Sequence, residues 1–334
     1  MKKIFLLLLV IVFTFVGIKF YQSSHTKKTD SLDQYFSIIH NNTERRYRVH
    51  IPTTYDENKK TPVILNLHGG GGNIDSMADM TGMNETSDKY GFIVVYPEGT
   101  LQKVLGKSLG SWDTGMIKKI ITVDDVGYIS AVIDDVKTKY NIDEARVYAT
   151  GISNGAQMSY KLACELSNKI TAIAPVASQG AFTTCPLSRP VPTIHFHGTE
   201  DICASYNGGL CGGCLQKYFE TLIGVSTADT TYACESVPNF IEKWVKINNI
   251  SEAPKLVLEK DTARCISYGN GQDREVAFCS VGNMGHAWPG GNHGIVCEDA
   301  DSKKCKDYIR VMGNTSNTIS ANELMWQFFS KYSL

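Results

Sequence analysis

Arg146-Val147-Tyr148-Ala149-Thr150-Gly151-Ile152-Ser153-Asn154-Gly155-Ala156 is the stretch that decides the fold. Arg146 to Ala149 reads as a strand, and a helix follows from about Asn154 to Ser167. Between them lies Gly151-Ile152-Ser153-Asn154-Gly155, a Gly-x-Ser-x-Gly match. A serine on a sharp strand-to-helix turn sits in strained backbone, so its flanking residues must be small to avoid clashes. Ser153 is therefore the candidate nucleophile. Roughly one chain in ten of this length carries such a match by chance at average glycine and serine usage, so context has to decide. The second match, Gly106-Lys107-Ser108-Leu109-Gly110, lies in a polar, glycine-rich stretch with no strand before it, and reads as loop. It is not a phosphate loop, because Leu101 stands where that motif needs glycine.

Outward from the elbow, strands and helices alternate. Tyr47, Val49 and Ile51 alternate with polar residues, as in a half-buried strand. Val63 to Leu67 and Phe92 to Tyr96 are short apolar runs suited to strands covered on both faces. Val126, Ile129, Ile133, Val136 and Tyr140 fall at helical spacing behind Asp124 and Asp125, whose carboxylates suit a helix start. Ile170 to Pro175, Thr193 to His197, Cys265 to Tyr268 and Glu275 to Val281 read as further strands. Phe240, Ile241, Trp244 and Val245 give a helix face, and Ser320 with Glu323 reads as a capping box for the last helix. The alternation implies a single α/β domain over residues 34–334 with a mostly parallel, doubly wound sheet flanked by helices.

Composition narrows the function. Of 334 residues, 43% are hydrophobic, ample for a core. A net charge of -1, with no long basic run beyond the first residues, argues against nucleic acid as a partner. Lys2 and Lys3 precede an uncharged apolar run, Ile4 to Ile18, of signal-sequence length. No small-x-small cleavage site stands near Gly17, so residues 1–18 are a signal sequence or an N-terminal membrane anchor, and 19–33 a linker. No cysteine near residue 20 suggests a lipoprotein. The chain is expected outside the cytoplasm, secreted or periplasmic. The ten cysteines then read as disulfides. Cys265 with Cys279, across neighbouring strands, and Cys297 with Cys305 are the preferred pairs. Pairing among Cys164, Cys185, Cys203, Cys211, Cys214 and Cys234 stays open. Cys211-Gly212-Gly213-Cys214 is weak as a redox pair or half a zinc site, since no second pair accompanies it.

A serine hydroxyl needs a base. On this fold the chain order is Ser, then Asp or Glu, then His. Asp201, in the loop after the strand Thr193 to His197, is the chosen acid, with Glu200 as competitor. His286, in the glycine-rich loop after Glu275 to Val281, is the chosen base, with His293 as rival. The oxyanion requires backbone donors. Asn154 N–H should supply one, and Gly70 or Gly71, in His68-Gly69-Gly70-Gly71-Gly72, the other.

At this point the chain resembles a known family. Leu67 to Gly72, Val123 to Tyr128, Arg146 to Gly155, His197 to Asp201 and Gly285 to Gly291 resemble secreted polyhydroxybutyrate depolymerase-like esterases, a group that includes feruloyl and acetylxylan esterases. The resemblance runs from about Arg45 to the C-terminus. It implies an α/β-hydrolase fold, ester hydrolysis without a cofactor or metal, and Ser153, Asp201 and His286 as triad. Trp112 and Trp288 fall in blocks that tend to border that family's cleft, as candidate substrate-binding residues; core packing is the competing reading for both. Two stretches, about 210–235 and about 292–307, are longer than the family pattern and follow triad loops, so they could reshape specificity. The expected partner is an ester: a small ester, a hydroxyalkanoate oligomer or an acylated polysaccharide. No extra polymer-binding domain is visible at either end, which favours a soluble ester over crystalline polymer. The alternative is a non-catalytic binding module on the same fold.

Overall fold

The computed structural model describes residues 32–334 apart from 105–106, 116–122, 181–183, 219, 222–223, 225–230, 270, 272, 294–296, 298 and 300. The signal sequence or anchor expected at 1–18 lies outside the described residues, as does the linker up to residue 31. No helix among the described residues is long and apolar enough to cross a membrane.

The first half runs β1 (Asp33–His40), β2 (Thr43–His50), β3 (Thr61–Leu67), α1 (Ile74–Thr81), α2 (Met83–Tyr90), β4 (Ile93–Pro97), β5 (Thr100–Val104), β6 (Lys107–Ser111), α3 (Asp125–Lys139), β7 (Ile142–Ile152) and α4 (Asn154–Glu165). The second half runs β8 (Ala172–Val176), β9 (Thr193–Gly198), β10 (Gly209–Cys211), α5 (Gly213–Tyr218), β11 (Tyr232–Cys234), α6 (Val237–Ile247), β12 (Lys255–Lys260), β13 (Ala263–Gly269), β14 (Glu275–Val281), α7 (Lys303–Met312) and α8 (Ala321–Phe329).

One ten-stranded sheet has the order β1-β2-β4-β3-β7-β8-β9-β14-β13-β12. Its middle, β4-β3-β7-β8-β9-β14, is parallel. Antiparallel pairs finish both flanks. Every residue of β3, β4 and β8 is buried, as expected for strands covered on both faces. One face packs Ile129, Val132, Val136, Met158, Leu162, Phe240 and Trp244 from α3, α4 and α6. The other packs Ile74, Met77, Met83, Met325 and Phe328 from α1, α2 and α8. The C-terminal ends of the parallel strands share one edge, where loops in such sheets carry function.

Three sequence expectations change. β1 starts at Asp33, inside the expected linker, and has no clear sequence signature, because its outward Tyr35 and Ile39 are apolar and exposed and so mask the alternation of Phe36 and Ile38. Ser108 lies on β6, paired with β5 in a hairpin, rather than in loop. Ser320 does cap α8 through the Glu323 N–H, but the reciprocal half of the capping box is missing, because the Glu323 carboxylate bonds Lys89 and Tyr90.

All ten cysteines are paired. Cys265–Cys279 and Cys297–Cys305 form as expected, and Cys164–Cys185, Cys203–Cys214 and Cys211–Cys234 complete the set. Cys211 and Cys214 take different partners, so they are no redox pair.

At the start of α3, Asp125 is enclosed with Arg45 at 2.8 Å, and Arg45 also lies over the Tyr128 ring. Asp125 Oδ2 accepts the Asp113 N–H at 2.6 Å, which ties the segment after β6 to the core. Removing one partner of a buried ion pair leaves a charge without compensation. Arg45→Met should lower stability by about 3–5 kcal/mol, read from urea unfolding. A change below about 1 kcal/mol would show that the pair does not hold this segment.

Candidate active site

Ser153 caps the end of β7 and starts α4 with φ +57° and ψ −118°. A residue other than glycine adopts this conformation only when its surroundings impose it. Those surroundings are tight. A Cβ on Gly151 would lie 2.6 Å from Leu67 O, and one on Gly155 2.2 Å from the same oxygen. Ser153 N–H donates to Val176 O at 2.9 Å, fixing the turn against β8. Asn154 is the first residue of α4, so its N–H has no partner within the helix.

The glycine loop after β3 faces this turn. Gly71 N–H donates to Gly110 O at 2.8 Å, and Gly72 N–H to Gly69 O at 3.0 Å. Gly71 is therefore corrected as an oxyanion donor: its amide is committed to the β5–β6 hairpin. Gly70 N–H has no hydrogen-bond acceptor among the described residues. Gly110 N–H returns a bond to Gly72 O at 3.1 Å, so the last glycine of the second Gly-x-Ser-x-Gly match clamps the loop.

His68 pins the same loop from inside. Gly99 N–H donates to His68 Nε2 at 2.9 Å, so Nδ1 carries the hydrogen and donates to Gly69 O at 2.8 Å. Burial pushes the His68 pKa down to about 4. Trp112 Nε1–H donates to His68 O at 2.9 Å, and Trp112 N–H to Asn154 Oδ1 at 2.7 Å. With 3% of its surface exposed, Trp112 braces the loop and the turn from behind. Trp288 has no exposed surface and bonds Asn322 Oδ1 at 2.9 Å. It packs the core instead of bordering a cleft, which corrects its reading as a substrate-binding residue.

Asp201 and His286 meet although 85 residues separate them. His286 Nδ1 lies 2.8 Å from Asp201 Oδ2. Asp201 Oδ1 accepts N–H groups from Cys203 at 2.8 Å and Ala204 at 2.9 Å. Burial opposes the Asp201 charge, but His286 beside it, with hydrogen bonds from His197 and His286, holds the carboxyl well below the usual carboxylate range. Glu200, the competing acid, points to solvent. His293, the rival base, packs edge-on against Tyr308 at 5.2 Å. The His286 loop is anchored by His286 N–H to Met312 O and by Gly285 N–H to Asn314 O. Ser153 follows β7, Asp201 follows β9 and His286 follows β14, all at the same sheet edge. No hydrogen bond joins the Ser153 hydroxyl to His286 among the described residues. Base and nucleophile often tighten only with substrate bound. Cys203 lies near Asp201 and His286, but its sulfur is bound to Cys214, so the three do not form a metal-ligand set.

One functional candidate escaped sequence reading. Tyr232, on β11 in the long 210–235 stretch, has its hydroxyl 3.4 Å from Gln157 Nε2. Gln157 lies one helical turn beyond Ser153 and also bonds Ser178 and Thr114. Burial pushes Tyr232 up to about 12, eased by Gln157 and reinforced by the charge of Asp201. The long stretch thus reaches the site, which no periodicity in the sequence signals.

Comparison with known proteins bears on this arrangement. Residues 46–183 match the family described as Esterase PHB depolymerase. The bifunctional acetylxylan esterase/xylanase of Neocallimastix patriciarum is 33% identical over 186 residues, covering 56% of this chain and 25% of that protein. Feruloyl esterase B of Piromyces equi is 27% identical over 256 residues, covering 75% of this chain and 44% of that protein. The chain thus spans less than half the length of either relative. The structure of an acetyl xylan esterase from Aspergillus awamori superposes with a TM-score of 0.52 at 17% identity, over 76% of this chain and 94% of that one. Residues 46–183 thus resemble the esterase family of polyhydroxybutyrate depolymerases, and the chain as a whole has the α/β-hydrolase fold.

Proposed function

We propose that the protein hydrolyses carboxylic esters through an acyl-enzyme formed on Ser153. The observation that carries this reading is the Asp201–His286 hydrogen bond, at the same sheet edge as a serine in strained backbone. His286 holds its Nδ1 hydrogen toward Asp201, which leaves Nε2 free to accept a proton. Nε2 takes the Ser153 hydroxyl proton as the oxygen attacks the ester carbonyl. The carbonyl oxygen, now negative, sits on the N–H groups of Asn154 and Gly70. The C–O bond to the alcohol breaks, and His286 returns the proton to the leaving alkoxide. Water, deprotonated by His286, then attacks the acyl-enzyme, and Ser153 leaves reprotonated.

The substrate class proposed is an acetyl or feruloyl ester on a soluble carbohydrate. The names of the relatives support it. The paired cysteines support an extracytoplasmic setting.

Ser153→Ala should cut turnover of a p-nitrophenyl ester by roughly 10⁴-fold or more, and Asp201→Asn should also be severe. Near wild-type turnover in Ser153→Ala, or greater damage from Glu200→Gln than from Asp201→Asn, would contradict the triad. Among methyl ferulate, acetylxylan and hydroxybutyrate oligomers, one of the first two should be turned over fastest.

The oxyanion loop adds an acid dependence. Unfolded His68 binds a proton near pH 6.5, whereas the folded residue does so only near 4. Between these values the unfolded state holds the extra proton, so stability falls as pH falls from about 6.5 to about 4. The His68 share of that loss is up to about 3 kcal/mol. Urea midpoints at pH 7 and 4.5 should differ less in His68→Gln than in wild type. Equal differences would show that His68 is not held neutral.

A further inference from the structure

β9 carries Thr193-Ile194-His195-Phe196-His197-Gly198. A period of two puts His195 and His197 on one face of the sheet. Both are wholly buried, and the mechanism above uses neither. Tyr160, on α4 seven residues after Ser153, has its hydroxyl 2.9 Å from His195 Nδ1. His195 Nε2 lies 3.0 Å from His197 Nδ1. His197 Nε2 lies 2.8 Å from Ala204 O and 3.4 Å from Asp201 Oδ2. A continuous chain of polar contacts therefore runs beneath β8 and β9, from the helix of the nucleophile to the turn that holds the acid.

The hydrogens in this chain follow by elimination. The Ala204 carbonyl and the Asp201 carboxylate only accept, so His197 Nε2 carries a hydrogen. A neutral His197 then accepts at Nδ1, and the donor facing it is His195 Nε2–H. His195 must accept at Nδ1, from the Tyr160 hydroxyl. Burial keeps His195 neutral by pushing its pKa well below the ordinary histidine value. Burial likewise keeps Tyr160 protonated. The rings around the chain are Phe240 and Trp244 against Tyr160, Phe278 against His195 and Tyr206 against His197. Every donor points toward the acid turn.

We propose that Tyr160, His195 and His197 form a one-way hydrogen-bond chain that fixes the turn Asp201–Ala204 and so holds Asp201 on His286. Ala204 is the pivot, because its carbonyl accepts from His197 while its N–H donates to Asp201 Oδ1. The Ala204 carbonyl sets the tautomers of both histidines, and the Tyr160 hydroxyl completes the chain as its terminal donor. All three are positioning residues, since none touches substrate. Their effect on turnover rests on the triad reading; their tautomers do not.

The test uses the whole protein labelled with ¹⁵N-histidine. Long-range ¹H–¹⁵N spectra between about pH 5 and 8 read each imidazole directly. His195 should be neutral, and both His195 and His197 should carry their hydrogen at Nε2. Tyr160→Phe should perturb both sets of signals and lower kcat by about tenfold, with KM changed by less than about twofold. His197→Gln, whose amide N–H can replace Nε2–H, should retain more kcat than His197→Leu. The proposal is overturned if either histidine is hydrogenated at Nδ1 or doubly protonated in the native protein. An unchanged kcat in Tyr160→Phe would overturn it too, as would a lower kcat with unperturbed imidazole signals. Failure of the esterase reading would show separately, as full turnover in Ser153→Ala.

Discussion

Leu67 O is the point on which the site is built. Two glycines, Gly151 and Gly155, approach this one carbonyl so closely that any side chain at either would overlap it. That crowding forces the chain to turn at Ser153 with positive φ and lifts the hydroxyl out of the sheet edge. The same contact brings β3 against the start of α4, and β3 runs directly into the glycine loop. Ser153 and the glycine loop are therefore placed by a single close approach, not by two independent ones.

Around that corner the protein spends buried polar contacts on rigidity. His68, Trp112, Asn154 and Gly110 lock the glycine loop to the turn and to the β5–β6 hairpin. Asp125 and Arg45 fasten the segment after Trp112 to α3. Across β8, Asp201 gathers two backbone N–H groups and the His286 imidazole, and disulfides from Cys203 and Cys211 knit the following turn. Groups held this way need little reorganisation when charge develops, which is the condition for electrostatic stabilisation of a transition state.

Much of this was legible in the sequence, for definite reasons. Buried parallel strands such as β3, β4 and β14 announce themselves as apolar runs, and the elbow by the two glycines that the crowding demands. Asp201 and His286 could be chosen because chain order and position after a strand restrict the options. Other features left no local trace. β1 and β12 expose Ile39, Leu256 and Val257, so their alternation is blurred. Gly70 and Gly71 are equivalent as sequence; only the bond from Gly71 to Gly110, in the β5–β6 hairpin, separates them. Trp288 sits in a motif block beside His286, yet its indole turns inward to Asn322. Tyr232 reaches Gln157 through a hairpin closed by Cys211–Cys234, a pairing that spacing alone left open.

The central claim is that a hydroxyl, an imidazole and two backbone amides converge on one reacting carbon. The most direct measurement is a crystal structure of the protein after reaction with a phosphonate ester that mimics the tetrahedral intermediate. The expected adduct is covalent at Ser153 Oγ, with one phosphonyl oxygen about 2.7–3.1 Å from the N–H groups of Asn154 and Gly70. His286 Nε2 should lie within hydrogen-bond reach of Ser153 Oγ or the leaving-group oxygen. An adduct whose oxygen avoids both amides, a His286 that stays out of reach, or no reaction at Ser153 would contradict the account.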